Sequence, residues 1–239
     1  MLNLVGRVDH AASSGTTAWH RASALSKLGL ALLLVGLAVF SRSLALLAAL
    51  HLLAWGLALS SRLPFRVIAG ILGYPLLFTA LFVAAGWDGT WAAPSRLALR
   101  PLTACLAAVW LVATTPYPDL FAPISRLLPR NVADALFIAY RALFDLMGRA
   151  ERLLAALRLR GGGAAPLRRR LAVAGESVGT LALHGFGRSE RLYATMLLRG
   201  HSGRICGCRH YAEPARADLW VAGAGLLAVA LAARLGGAP

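Results

Sequence analysis

The sequence predicts an all-α, polytopic membrane protein with about five transmembrane helices and two long cytoplasmic helices. Three observations carry that expectation. Hydrophobic residues fill 58% of the 239 positions, mean hydropathy is +0.65 and charged residues are 15%, against about 25% in a soluble domain. The few charges are lopsided, with 25 lysines and arginines against 10 acids. Apolar runs beside a concentrated basic section fit a membrane protein with a large cytoplasmic part. Nucleic acid would account for a pI near 11.4 but not for the runs, so no nucleic-acid partner is expected. Third, one phrase is written twice: residues 151–161 read ERLLAALRLRG and residues 190–200 read ERLYATMLLRG, an offset of 39 with seven identities.

In chain order, residues 1–26 form a polar, cytoplasmic N-terminal tail. Ala38-Val39-Phe40 is a poor cleavage site, so the first apolar run reads as an uncleaved span. The membrane part, 27–115, holds apolar segments at 28–40, 44–60, 67–86 and 97–115, and the last span lies within 219–239. The first is short against the ~20 residues that cross a bilayer. Ser41-Arg42-Ser43 separates it from the second, which fits either two short helices or one broken helix. Charge favours two. Sixteen of the 25 cations fall between Asp119 and Asp218, and the positive-inside rule places that section in the cytoplasm. Arg7, Arg21 and Lys27 place the N-terminus there too, and four crossings before residue 116 satisfy both. Arg62 and Arg66 then lie inside, whereas Arg96 and Arg100 fall on the disfavoured side.

None of the five apolar cores contains a carboxylate, and His51 stands deep in the second. Ion-coupled carriers place acids or histidines at membrane depth, because the moving charge needs partners there. This chain is a poor candidate to carry an ion alone, and His51 is expected to face a neighbouring helix.

Section 116–218 reads as a helical platform that does not span. Pro116, Pro118 and Pro123 punctuate its start, and Pro129 precedes a helix whose apolar positions Val132, Leu136, Tyr140, Leu143 and Met147 recur at helical spacing. Asp145 and Arg149 make a favourable i,i+4 pair on its polar face. This helix is expected from Val132 to Arg160, closed by Gly161-Gly162-Gly163. A second opens after Pro166 and runs to Arg199. Both phrases therefore end helices. Gly161 and Gly200 stand where a left-handed C-terminal residue is wanted, and Arg160 and Arg199 occupy the last turn, where the dipole favours a cation.

These features resemble a known family, the transmembrane T component of energy-coupling-factor transporters, in its cobalt-type branch. The resemblance spans roughly residues 24–235. It rests on Thr114-Thr115-Pro116, Leu128-Pro129, Tyr140-Arg141, the two phrases and Gly200-His201-Ser202-Gly203. In that family two cytoplasmic coupling helices end in Ala-Arg-Gly. Here the triplets are Leu159-Arg160-Gly161 and Leu198-Arg199-Gly200, with leucine for alanine. The resemblance implies two ATPase subunits, identical or paralogous, each taking one phrase, and a separate substrate-binding membrane subunit, the S component. Arg160 and Arg199 would dock on the ATPases, with Leu153, Ala156, Tyr193 and Met196 around them and Glu151 and Glu190 opening the phrases. It implies uptake of cobalt or nickel across the cytoplasmic membrane of a bacterium or archaeon. The opening Arg7-Val8-Asp9-His10 supports the cobalt branch.

The chain lacks a G-x-x-x-x-G-K-[ST] phosphate loop. ATP and magnesium are thus expected on the partners, with no cofactor, metal or catalytic residue on this chain. His201, Cys206, Cys208 and His210 crowd together, but their spacing matches no standard zinc pattern, and a loop with reduced thiols is expected. Two other classes compete: a membrane-embedded enzyme using Ser177 and His184, and a basic scaffold without ATP coupling. The substrate itself is not written in the residues.

Overall fold

Ser41 and Ser43 decide how the first half of the chain is built. In the computed structural model, which describes residues 10, 12–62, 65–85, 91–124, 128–160, 166–201 and 216–236, the helices are α1 (Ala18–Arg21), α2 (Ala24–Phe40), α3 (Leu44–Ser60), α4 (Phe65–Ala85), α5 (Ala92–Thr114), α6 (Tyr117–Ile124), α7 (Arg130–Leu159), α8 (Leu167–Leu198) and α9 (Asp218–Leu235). No strand occurs among the described residues. The backbone N–H of Ser41 closes α2 on Leu37 O, and the Ser43 hydroxyl accepts from Leu46 N to open α3. Segment 28–60 is therefore two helices. A side-chain cap at Ser43 is worth about 1 kcal/mol, and extended backbone at Ser41 and Ser43 breaks any continuous path between them.

The chain divides into two compact units, one of residues 1–124 with 207–239 and one of residues 125–206. In the first, segments Ile68–Ala85, Ala93–Thr114 and Asp218–Leu235 are long and apolar enough to cross a membrane. Helices α2 and α3 have 17 residues each, the lower limit of the roughly 17–25 that span. Helix α5 is the hub, packed against α2, α3 and α4. Thr103, Leu106, Trp110 and Thr114 repeat at three- and four-residue spacing along it, and each is 0% exposed. Helix α9 packs on α2 and α3. An added Cβ at Gly225 would meet Leu30 Cδ1 at 3.8 Å, the close approach that small residues permit between membrane helices.

Several polar groups at the helix ends of this unit find partners across helices, which an apolar solvent favours. Trp110 Nε1 donates to Ser61 Oγ at 2.9 Å. Asp218 Oδ1 accepts from Ser23 N at 2.7 Å and from Ser26 Oγ at 2.9 Å. Lys27, expected as a flanking cation, is instead 1% exposed, and its Nζ donates to Thr114 O at 2.9 Å. The Ser23 hydroxyl caps α2 by accepting from Ser26 N, which starts the helix before Lys27 and turns that side chain onto the negative end of α5. Arg100 Nη2 donates to Ser41 O at 2.6 Å, so this arginine, expected on the disfavoured side, closes the end of α2.

These bonds give the unit its sidedness. The starts of α2 and α9 and the ends of α3 and α5 share one end. The Ser41–Ser43 turn and the first turns of α5 share the other. Tyr117–Ile124 belongs to this unit, with Ala122 packed on Ala24.

Candidate functional site

The second unit contains α7 and α8, and both repeated phrases lie at their C-terminal ends. Helix α8 closes in a Schellman motif. Gly200 N donates to Leu197 O at 3.0 Å, His201 N donates to Met196 O at 3.0 Å, and Gly200 takes φ +73°, the left-handed conformation in which a Cβ is penalised. At the end of α7, Arg160 N donates to Ala156 O at 3.1 Å. Gly161 lies outside the described residues. Helix α7 begins at Arg130, slightly earlier than its apolar pattern, and α8 begins at Leu167, directly after Pro166.

The structure lengthens the repeat. Gly148-Arg149 precedes the first phrase as Gly187-Arg188 precedes the second, at the same offset of 39. These equivalent arginines converge: Arg149 Nε lies 2.9 Å and Arg188 Nη1 3.0 Å from the same oxygen, Asp145 Oδ2. The Arg149 hydrogen bond, with the guanidinium charges of Arg149, Arg188 and Arg152, holds the Asp145 carboxyl below the usual carboxylate range. Beside them an added Cβ at Gly185 would sit 4.0 Å from Leu146 Cδ2, and Leu146 and Gly185 are again 39 apart. The two helices thus meet at corresponding points of the repeat. From there Arg160 and Arg199 are each 14 residues away, arms of about 21 Å at 1.5 Å per residue. Reading the phrase three residues further upstream in the sequence reveals the shared Gly-Arg; its convergence on one acid requires the fold.

The arm ends present apolar surface. Leu159 is 89% and Leu198 88% exposed. Tyr193, Ala156, Arg160, Arg199, Glu151 and Glu190 are also exposed, while Leu153 and Met196 are half-buried. Each tip is a leucine and an arginine side by side, able to enter an apolar groove with an acid or carbonyls at its rim.

The remaining constellations resolve differently. His51 faces a neighbouring helix, as expected. Trp55 Nε1 donates to His51 Nε2 at 3.0 Å, so the ring proton is on Nδ1, which donates to Thr103 Oγ1 at 3.1 Å. Ser177 Oγ donates to Val173 O at 2.6 Å, and no hydrogen bond joins it to His184 among the described residues. Cys206, Cys208 and His210 lie outside the described residues.

The fold and the repeated phrases can now be set against known proteins. No curated protein matches the chain. The family model CbiQ, described as cobalt transport protein, matches residues 15–207, a span that takes in α1 to α8 and both phrases. With apolar helices around α5 and a match over most of its length, this chain is a membrane protein that belongs to the CbiQ cobalt transport family.

Proposed function

We propose that the chain is the T component of an energy-coupling-factor importer, transmitting ATPase motion to a separate substrate-binding membrane subunit. The observation that carries this is the matched pair of arms. One non-duplicated chain presents two like tips, at equal distances from a shared Asp145 crossing, each exposing a leucine and an arginine. Two related ATPase subunits would offer two similar grooves, one for each tip. ATP and magnesium bind on those subunits, and the substrate is cobalt or nickel ion. The complex sits in the cytoplasmic membrane with its arms on the cytoplasmic side.

Each arginine would make charged hydrogen bonds worth about 1.5–3 kcal/mol. When the ATPases close on ATP, the tips are drawn with them, and the crossing carries the displacement to the substrate-binding subunit. Co-purification tests this reading. Wild type should bring down the ATPase subunits, and Arg160→Glu with Arg199→Glu should release them, since losing a buried charged partner costs about 2–5 kcal/mol per site. Absence of any ATPase with wild type overturns the reading. Equal recovery with both forms overturns the assignment of the tips.

A further inference from the structure

Between α4 and α5 the membrane unit carries a cleft of about 430 Å³, within the roughly 300–1,000 Å³ of ligand sites. Its walls are apolar: Tyr74, Phe78 and Phe82, four residues apart on one face of α4, oppose Leu97 and Pro101 on α5. One charged side chain lines it, Arg100. That guanidinium gives Nη2 to Ser41 O, while its Nε is buried without a hydrogen-bond partner, as is Nε of Arg96 one turn away. Among the described residues no carboxylate pairs with either arginine.

We propose that this cleft binds one anionic phospholipid, with an acyl chain along Tyr74, Phe78 and Phe82 and the phosphate at Arg96 and Arg100. Depth supports the pose. Arg96 and Arg100 stand about 6 and 12 Å from the start of α5 at 1.5 Å per residue, close enough for long side chains to reach the headgroup layer. Phe82 lies near the end of α4 and Tyr74 near its middle, so the aromatic wall runs inward from that layer. A cation inside an apolar cleft selects a ligand carrying both a long apolar chain and a negative charge. A neutral lipid supplies only the first and inorganic phosphate only the second.

Native mass spectrometry of the full chain in detergent, titrated with phosphatidylglycerol, phosphatidylcholine or inorganic phosphate, tests this. Phosphatidylglycerol should bind tightest, and Arg96→Gln should weaken it by about fivefold, the effect of one arginine on an anionic lipid. Leu97→Trp, which fills the cleft and keeps both charges, should remove the bound lipid. Arg100→Gln also loses the bond to Ser41, so the two neighbouring variants carry the test. Equal binding of the two lipids, or unchanged phosphatidylglycerol binding in Arg96→Gln and Leu97→Trp, overturns the proposal, as would phosphate binding alone.

Discussion

The hub helix of the first unit and the longest helix of the second treat their apolar side chains in opposite ways. In the first, α5 buries Leu106, Trp110 and Ala113 against its neighbours, and serines, threonines and one lysine tie helix ends across the packing. In the second, α8 runs for 32 residues without one buried side chain, although Leu171, Val178, Phe186 and Tyr193 lie along it. Along α8 the best-covered apolar side chains, Val173, Leu181 and Met196, are only half-buried. On the function proposed above, the contrast would separate a part that holds itself together from a part that engages partners. Substitutions in the isolated, detergent-extracted chain should reveal it as a gradient of stability effects.

The largest effect is expected at Lys27. Methionine there leaves the buried Thr114 carbonyl without its donor, which should destabilise the first unit by about 1–3 kcal/mol, read as a lower thermal midpoint. A smaller effect is expected at the α7–α8 crossing. Asp145→Asn removes the anion shared by Arg149 and Arg188, and because water screens that site it should lower the thermal midpoint less than the Lys27 substitution does. Its pH dependence has a defined sign. The folded carboxyl titrates below its ordinary value, so its contribution is complete above about pH 4 and is lost as pH falls through the folded value. Melting curves of wild type and Asp145→Asn should therefore stay parallel from pH 8 to 5 and converge only below about pH 4. The smallest effect is expected at the tips. Leu159→Ser with Leu198→Ser should change stability by no more than about 0.5 kcal/mol, because both side chains are already exposed, yet should weaken recovery of the partners.

Much of this was legible beforehand because apolar runs and breakers are local signals. The five apolar segments became α2 to α5 and α9, and Ser41 to Ser43 and Pro166 marked helix boundaries. Gly200 was readable as a left-handed residue from its place behind a Leu/Arg helix end. Lys27 was not readable as buried: its orientation depends on the Ser23 cap and on Thr114, 87 residues away. The role of Arg100 was hidden likewise, since the carbonyl it closes belongs to another helix. The Asp145 crossing was half visible. Arg149 is a helical neighbour, whereas Arg188 arrives only when the repeat folds back on itself.

The central claim is that the two tips are equivalent docking ends for ATPase subunits. A photo-crosslinking residue placed at Leu159 in one preparation and at Leu198 in another, irradiated in native membranes, tests it most directly. The account predicts a cross-link to an ATP-hydrolysing subunit from both positions. Cross-links from one position alone, or from both to proteins that hydrolyse no ATP, would contradict it.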